Sequence, residues 1–565
     1  MQWMYKPEPP SDLVEKLANE LKIDTLLAQL LVQRGITTFE EARIFFRPTW
    51  ADLHNPFLMK DMGKAIHRID KAIENNENIM IFGDYDVDGT TAVSLVYSFF
   101  KDIYPNITTY IPDRYAEGYG VSAQGIDFAD DNNIRLIIAL DCGIKSADKV
   151  AYALEKSIDF IICDHHNPDE NLPKAVAILN PKQLDCPYPY KELCGCGIGF
   201  KLIQAYTQHH NQDEKNLLPY TDLVATAIAA DIVPMTGENR ILAKFGLEQI
   251  NSNPREGIKA LLENRKKKVF TISDIVFHIA PRINAAGRIK HGNEAVKLLT
   301  EYDLEEAQQF ASELENYNTE RKEFDQQITL EALQQIENNH ETERFSTVVF
   351  NENWHKGVIG IVASRLTETY YRPTLVFTKT TNGWAASARS VQGFDLYAAL
   401  EKCQEYLVQF GGHMYAAGLT LLDEQLLPFK EKFEEVVKQS ITTEQQVPTL
   451  TIDAEINFTG INPKFIRILK QMEPFGPQNM TPVFASKNIF DTGYAQQLGA
   501  NKEHLKAFVK QNLAQEGYSM VGFGLGDYYS KIQNQQPFTL AYTLEENEWN
   551  GSVQLQLSGR DLKIQ

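Results

Sequence analysis

The sequence IMIFGDYDVDG, residues 79–89, is a short apolar run that passes directly into three aspartates. The apolar part is typical of a buried parallel strand, and the helix-forming stretch TTAVSLVYSFF follows it. Two further runs, RLIIAL at 135–140 and FIIC at 160–163, repeat the order of apolar strand, polar loop and helix. The pattern predicts a doubly wound α/β domain over residues 75–235.

Acidic side chains follow the ends of all three predicted strands. The carboxyl ends of parallel strands meet at one edge of a sheet, so these groups are expected to converge there. Crowded carboxylates repel one another and raise one another's pKa unless cations neutralise them. Many carboxylates with one or two imidazoles favour Mg²⁺ or Mn²⁺ over structural zinc. The groups in question are Asp84, Asp86, Asp88, Asp141, Asp164, His165 and His166, and Asp231 can close the cluster.

The remainder of the chain shows four further segments. Residues 1–55 have helical spacing, and residues 236–343 form a helical segment whose polar second half predicts a long linker helix. A second α/β domain is predicted over 344–442, beginning with the strand TVVF. Residues 449–565 alternate with period two, for example after the Asn550-Gly551 turn, which predicts a small β-domain. The fold class is therefore α/β, with two α/β domains joined by a long helix and flanked by small terminal domains.

The composition narrows the functional class. The 565 residues carry a net charge of −20, so a nucleic-acid site requires a local basic patch or a metal centre. The six cysteines are too few for a disulfide scaffold, and the spacing of the CGC at 194–196 does not fit a zinc site. No membrane-spanning run and no export signal can be recognised, so we expect a cytoplasmic protein.

Specific motifs give the chain a resemblance to a known family. DYDVDG, LDCG, DHH and AAD, in this order, resemble the four motifs of the DHH phosphoesterase superfamily. Four later motifs resemble the RecJ family of bacterial single-strand-specific DNA exonucleases within it. They are PRINAAGRI at 281–289, NWHKGVIGIVASRL at 353–366, SARS at 387–390 and GGHMYAAG at 411–418. The resemblance spans nearly the whole chain, and it implies a DHHA1-like second α/β domain and an oligonucleotide-binding (OB)-like β-domain.

The resemblance implies a catalytic centre with two Mn²⁺ or Mg²⁺ ions that hydrolyses phosphodiesters. It implies metal ligation by Asp86, Asp88, Asp141, His165 and Asp231, with Asp84 and His166 as supporting or second-metal residues. Some superfamily members have a histidine where this chain has Phe82, so Asp84 is a possible substitute ligand. His166 either contacts a phosphate oxygen or the leaving group, or serves as an outer partner that orients a neighbouring aspartate.

An exonuclease also has to recognise a strand end. The resemblance implies capture of the 5′ phosphate and degradation of DNA from 5′ to 3′ to mononucleotides. The residues expected to bind the DNA and its 5′ phosphate are Arg114, Arg282, Arg288, His355, Ser387, Arg389, Gly411, Gly412 and His413. Tyr115 and Tyr119 are candidates for base stacking, and the basic run 265–268 is a candidate track for the DNA backbone.

Single-stranded DNA is the expected ligand, and the implied role is DNA recombination and repair. A single-strand binding protein and a helicase are expected partners by resemblance, with no membrane and a monomeric state. Two alternatives remain open at this point. One is a small-molecule phosphoesterase acting on cyclic dinucleotides or short oligoribonucleotides, and the other is a non-catalytic replication scaffold.

Overall fold

The computed structural model describes residues 1–263, 265, 267–512, 517–533, 536–549 and 552–564. Among these residues, no helix combines the length and apolar character needed to cross a membrane. The chain divides into two compact units, one formed by Met1–Asp52 with Thr449–Gln565 and the other by Leu53–Pro448.

The strands, in chain order, are β1 (Gln2–Tyr5), β2 (Asn78–Gly83), β3 (Ile107–Tyr110), β4 (Ile134–Leu140), β5 (Asp159–Cys163), β6 (Ala177–Leu179), β7 (Thr347–Asn351), β8 (Thr374–Thr380), β9 (Gly383–Arg389), β10 (Gln409–His413), β11 (Ala416–Leu421), β12 (Thr449–Ile452), β13 (Ala454–Glu455), β14 (Phe484–Asp491), β15 (Gln496–Leu498), β16 (His504–Lys510), β17 (Tyr518–Gly522), β18 (Phe538–Trp549) and β19 (Ser552–Ile564).

The α-helices, in chain order, are α1 (Ser11–Leu21), α2 (Thr25–Val32), α3 (Phe39–Phe46), α4 (Met62–Glu74), α5 (Val87–Lys101), α6 (Ala123–Asp131), α7 (Ala147–Glu155), α8 (Gly195–His209), α9 (Thr221–Ala230), α10 (Gly237–Ser252), α11 (Glu256–Leu262), α12 (Ile272–Asp274), α13 (Ala280–Ile289), α14 (Asn293–Thr300), α15 (Leu304–Asn338), α16 (Ile359–Tyr370), α17 (Leu396–Glu401), α18 (Leu426–Ser440), α19 (Pro463–Gln471) and α20 (Tyr529–Ile532). A π-helical turn, Ile275–Ile279, joins α12 to α13.

The first sheet of the Leu53–Pro448 unit has the strand order β3-β2-β4-β5-β6, and all its pairs are parallel. Helices α6 and α7 pack on the face that carries Ile137 and Ala139. Leu140, the next residue along β4, lies against Gly199 of α8 on the opposite face. Because apolar side chains cover both faces, each strand reads as a continuous apolar run. The predicted doubly wound domain is thus confirmed.

The second sheet has the order β10-β11-β9-β8-β7 and is mixed. Strands β7 and β8 are parallel, and the other pairs are antiparallel. Helix α16 and the C-terminal half of α15 cover one face, with Ile336 and Val362 in one cluster. Helices α17 and α18 contribute to a separate core with β8 and β9. The second α/β region predicted from TVVF is confirmed.

Helix α15 is the predicted linker helix, and its 35 residues span about 52 Å. Its N-terminal half contacts α11, α13 and α14, and its C-terminal half contacts α16 and β7. One side of the helix is buried, for example at Leu314 and Ile328, so the helix is less solvent-exposed than its polar sequence suggested.

The other unit joins the two ends of the chain. Its seven-stranded sheet has the order β13-β14-β18-β19-β17-β16-β15, with a further pairing of β14 with β16. Strand β1, where only helix was expected, pairs in parallel with β12. Leu30 and Leu31 of α2 lie in one core with Phe465 and Phe484. The N-terminal helices therefore do not form a core of their own, because most of the buried residues in the core that they share belong to the C-terminal segment.

Two sequence predictions fall wholly or partly outside the described residues. The Asn550-Gly551 turn and Lys266 of the basic run are not described. The long alternating strand β19 that follows the turn is present, as the period-two pattern predicts.

Candidate active site

The predicted acidic cluster forms at the carboxyl edge of the first sheet. Asp84 follows β2, Asp141 follows β4, and Asp164 follows β5. Asp86 is the N-terminal cap of α5, where its side chain accepts a hydrogen bond of 3.0 Å from Gly89 N. Asp231 ends α9 and reaches the same edge. Strand register and helix starts thus bring together groups that lie far apart in the sequence.

His165 lies at the centre of this cluster. Its Nε2 is 3.1 Å from Asp141 Oδ1, 3.6 Å from Asp231 Oδ2 and 3.8 Å from Asp88 Oδ2. Burial lowers the pKa of His165 to about 3, which keeps the imidazole neutral with a lone pair available for a metal. Asp141 adopts the left-handed region with a φ of 58°, a strained conformation that the surrounding contacts must hold in place.

His166 has a separate set of partners. Its Nδ1 is 2.7 Å from Asp164 Oδ1, and its Nε2 is 3.2 Å from the hydroxyl of Tyr119. Asp164 also accepts a hydrogen bond from Ile144 N, and the pKa of Asp164 is lowered despite burial because His166 and backbone N–H groups stabilise its charge. Asp164 therefore orients His166.

Asp88 is held by a feature that sequence reasoning missed. Its carboxylate accepts hydrogen bonds from Gly195 N at 2.6 Å and Cys196 N at 2.7 Å, at the N-terminus of α8. Gly195 is required there because a Cβ would lie 2.6 Å from Asp141 Cβ. The CGC segment thus holds Asp88 through two backbone N–H groups and a hydrogen bond from the Cys194 side chain. The thiols of Cys194 and Cys196 are buried.

The electrostatics of the cluster favour a cation. Burial, followed by the charge of Asp86, raises the pKa of Asp88 to about 7. Burial and the neighbouring Asp88 raise the pKa of Asp231 to about 9. The pKa of Asp141 is also raised, first by burial and then by Asp88. A divalent cation between these groups would reverse each of these shifts.

The donor set fits a divalent metal. Ligand atoms of Asp88, His165 and Asp231 lie within 4.8 Å of one another, and so do those of Asp141, His165 and His166. Buried Asp84 Oδ2 has no hydrogen-bond partner among the described residues. Mostly carboxylate oxygens with few imidazoles match Mn²⁺ or Mg²⁺. Phe82 packs on Tyr110 with ring centroids 5.4 Å apart, so it plays no part in the donor set.

A basic pocket of about 150 Å³ lies in the same unit. It brings together four of the predicted phosphate-binding residues, and its walls contain no Asp or Glu among the residues described. The four are Arg114, Arg288, Ser387 and Arg389. Burial, followed by the charge of Arg114, lowers the pKa of Arg288 to about 10. Cations crowded together without a carboxylate create a site for an anion.

The N-terminus of α16 forms another wall of the pocket. Gly357, Ile359 and Gly360 line it, together with Lys356. A Cβ on Gly360 would lie 2.9 Å from Ser387 Oγ, so glycine keeps this wall open. Free N–H groups and the helix dipole at such a terminus favour a phosphate.

Tyr85 links the pocket to the acidic cluster. It lies between Asp84 and Asp86 in the sequence, and the Arg114 guanidinium stacks on its ring at 4.7 Å from the centroid. Tyr119, whose ring packs edge-on to Tyr85 at 6.1 Å, bonds His166 at the cluster. The anion pocket and the acidic cluster are therefore neighbours.

Other predicted residues lie outside the pocket walls. His355 is adjacent, stacked on Phe324 with ring centroids 5.1 Å apart. Arg282 is not in the pocket, because its side chain is hydrogen-bonded to Glu315 and to the carbonyl of His278.

The glycine motif lies at the edge of the second sheet. Gly411, Gly412 and His413 are exposed residues of strand β10. Gly411 is two strands from Ser387 in register, about 10 Å away. The residues that sequence reasoning missed are Tyr85, Gly195, Cys196, Lys356, Gly357 and Gly360. Most of them act through backbone or ring contacts, which carry no charge pattern.

Three known domain families match this chain, one in each of the two α/β domains and one in the C-terminal β-domain. Residues 78–228 match the DHH family, N-terminal domain, residues 343–439 match the DHHA1 domain, and residues 452–561 match the RecJ OB domain. The expected OB-type β-domain and DHHA1-type second α/β domain are thereby confirmed.

Full-length relatives agree with these matches. The chain is 35% identical to the single-stranded-DNA-specific exonuclease RecJ of Bacillus subtilis, over 100% of this chain and 71% of the relative. It is 31% identical to RecJ of Escherichia coli, over 95% of both chains. The crystal structure of Thermus thermophilus RecJ in complex with Mn²⁺ has a TM-score of 0.85 and 25% identity, covering 100% of this chain and 79% of that one.

Proposed function

The chain belongs to the RecJ family of single-stranded-DNA-specific exonucleases, and from this premise we propose that it degrades single-stranded DNA from a 5′-phosphorylated end, one nucleotide at a time. One observation above all supports degradation from the 5′ end. A carboxylate-free pocket with Arg114, Arg288 and Arg389 lies beside the acidic cluster. A terminal phosphate in this pocket would bring a nearby phosphodiester to the cluster.

The acidic cluster is proposed to hold two divalent ions, Mn²⁺ or Mg²⁺. The proposed ligands are Asp86, Asp88, Asp141, His165 and Asp231. Some superfamily members have a histidine at the position of Phe82, and Asp84 is proposed to take the place of that histidine. Ions of this kind lower the pKa of a water molecule and neutralise charge on a phosphodiester. Hydrogen bonds from Gly195 N and Cys196 N fix Asp88 for this task.

His166 is proposed to contact a phosphate oxygen of the substrate. Its Nδ1 is committed to Asp164, so Nε2 is the atom that faces the open side, next to Tyr119. Substrate binding would exchange the Tyr119 hydroxyl for a phosphate oxygen. Tyr119, 54% exposed, and Tyr115, 40% exposed, are then placed to stack on bases of a single strand.

The remaining expectations stay part of the proposal. The protein is expected to be a cytoplasmic monomer that acts in recombination and repair. Its expected partners are a single-strand binding protein and a helicase. Gly411, Gly412 and His413 are retained as DNA contacts beyond the terminal phosphate, which the exposure of β10 permits. Arg282 is buried and bonded to Glu315, so the DNA contact proposed for it requires exchange of that partner.

The test is a product analysis with Mn²⁺ and four substrates. These are a single strand with a 5′ phosphate, the same strand with a 5′ hydroxyl, a duplex and a dinucleotide. We expect mononucleotides from the phosphorylated single strand and little from the duplex. Hydrolysis of the dinucleotide alone would indicate a small-molecule phosphoesterase, and binding without hydrolysis a scaffold.

A matched pair of variants ties the activity to the cluster. Asp141→Asn should abolish hydrolysis, since Asp141 is a proposed metal ligand in contact with His165. Asp148→Asn replaces an exposed aspartate on α7 that pairs with Lys149 and should leave the rate unchanged. Equal activity of the two variants would contradict the proposal.

A further inference from the structure

A second group of metal-binding side chains lies away from the acidic cluster, at the opposite end of α8. His209 is the last residue of α8, His210 follows it, and Asp70 is on α4. His210 Nε2 is 3.0 Å from Asp70 Oδ1, and His209 Nε2 is 3.5 Å from Asp70 Oδ2. Ligand atoms of the three residues lie within 4.8 Å of one another. Each imidazole thus faces a different oxygen of one carboxylate.

Neighbouring contacts hold this group in place while leaving it accessible. The ring of His210 packs on Tyr206 with centroids 4.3 Å apart, and the rings of His209 and His210 are nearly perpendicular. His210 N also donates to Tyr206 O, which continues the helix by one residue. The side chains of His209 and His210 are 53% and 37% exposed, and that of Asp70 is 19% exposed. An ion from solvent can therefore reach all three.

The chemistry of these donors differs from that of the acidic cluster. A neutral imidazole offers the lone pair of one ring nitrogen to a metal. Two imidazole nitrogens and one carboxylate oxygen favour zinc over Mg²⁺ or Mn²⁺. We propose that Asp70, His209 and His210 bind a Zn²⁺ ion, with solvent in the remaining coordination positions.

The position of this site gives the ion a structural role. It would join α4 to the C-terminal end of α8, the helix whose N-terminal N–H groups hold Asp88. The 15 residues of α8 span about 22 Å, so the ion would be remote from the acidic cluster. Because the ion binds only the folded chain, zinc should raise the thermal midpoint of unfolding.

The experiment measures zinc directly. The full-length protein is stripped with a chelator, dialysed into excess Mg²⁺, and titrated with Zn²⁺; bound zinc per chain is then measured after gel filtration. The double variant His209→Gln/His210→Gln should bind one zinc ion fewer per chain than the unmodified protein, and its zinc-dependent rise in thermal midpoint should disappear. His340→Gln, which changes an exposed histidine just after α15, should behave as the unmodified protein.

Comparing variants separates this site from the acidic cluster, because any zinc bound at His165 is common to all of them. Asp70→Asn removes the carboxylate with almost no change in shape and should also lose the zinc ion. Mn²⁺-dependent hydrolysis of DNA checks that each variant is folded. Zinc binding of unchanged stoichiometry and affinity in the double variant, or in Asp70→Asn if the double variant does not fold, would overturn the proposal.

Discussion

The surroundings of Asp88 and Asp231 in the folded protein disfavour the ionised form of both side chains. Burial and neighbouring carboxylates raise the pKa of Asp88 to about 7 and that of Asp231 to about 9. Between them lies His165, which burial keeps neutral. Carboxyl groups that hold protons near neutral pH beside a neutral imidazole are poised to exchange those protons for a cation.

Mn²⁺ binding should therefore release protons. Metal ligation requires the deprotonated carboxylates, and the raised pKa values mean that Asp231 is protonated at pH 7 and Asp88 is partly so. The apparent affinity for Mn²⁺ should rise as the pH increases from about 6 to about 9. Calorimetric titrations in buffers of different ionisation enthalpy measure the release. Asp231→Asn should reduce it, and binding heats that do not depend on the buffer would refute this view.

Arg389 should determine the preference for a phosphorylated end. Its side chain bonds only neutral groups, Ser387 Oγ and Ala388 O, among the contacts described. Arg389→Gln should lower kcat/KM for a 5′-phosphorylated strand by about tenfold to a hundredfold, as expected for losing a hydrogen bond to a charged group. The rate on a 5′-hydroxyl strand should change little.

Arg344→Gln is the control for this measurement. It removes a partly exposed arginine that pairs with Glu431 outside the pocket. An equal loss on both kinds of strand end in Arg389→Gln would mean that the pocket does not read the phosphate.

The residue types at the active site could be predicted where a charge follows an apolar strand. Asp84, Asp141 and Asp164 follow this rule, and the sheet brings them together. The partner of Arg282 could not be predicted in the same way. A long arginine side chain can reach many acceptors, and here it bonds Glu315 on α15, a residue that only the folded structure brings near.

At the scale of elements, helix α8 brings the CGC segment, residues 194–196, into contact with Asp88. The N-terminus of the helix offers two backbone N–H groups to Asp88. The Cys194 thiol adds a hydrogen bond to Asp88. Glycine is needed at residue 195 because a Cβ there would meet Asp141. The spacing of CGC excludes a zinc site but gives no other role, whereas the start of α8 makes the segment an anion-binding turn.

Gly195→Ala should therefore impair catalysis without unfolding the protein. The added methyl group would lie 2.6 Å from Asp141 Cβ and displace a proposed metal ligand. We expect a fall in kcat of about a hundredfold, since a misplacement of about 1 Å has costs of this order. Steady-state kinetics with saturating Mn²⁺ and thermal unfolding provide the measurement.

Gly63→Ala in α4 is the matched control, because a Cβ there has open space. This variant should retain full activity and gain slightly in stability from the better helix propensity of alanine. Full activity in Gly195→Ala would show that the close approach of α8 to Asp141 is not required.

At the scale of the whole chain, the two ends fold together. Trp3 Nε1 donates to Asp561 at 2.8 Å, and Lys6 Nζ bonds Asp453 at 2.7 Å. The sequence of α1–α3 predicts helices from local spacing, but it contains no signal for partners more than 400 residues away. For this reason the separate N-terminal piece expected from sequence is in fact part of the β-domain's unit.

Leu30→Ala should destabilise that unit as a whole. Leu30 is fully buried in the core that α2 shares with the seven-stranded sheet. Loss of a buried leucine side chain costs about 2–5 kcal/mol in the free energy of unfolding. Amide hydrogen exchange should accelerate in β16–β19, with β2 and β4 as internal references.

Leu498→Ala in β15 is the control, because Leu498 is 37% exposed and its truncation should change exchange little. If exchange in β16–β19 were identical in Leu30→Ala and the unmodified protein, the shared core would be refuted.

Acids from separate strand ends are proposed to hold divalent cations at one edge of the first sheet. The most direct measurement is anomalous diffraction from crystals grown with Mn²⁺. We expect two manganese peaks, each bonded to oxygens of the Asp86, Asp88, Asp141 and Asp231 carboxylates or to His165. Crystals with Mn²⁺ in the buffer and no anomalous peak among these side chains would contradict the proposal.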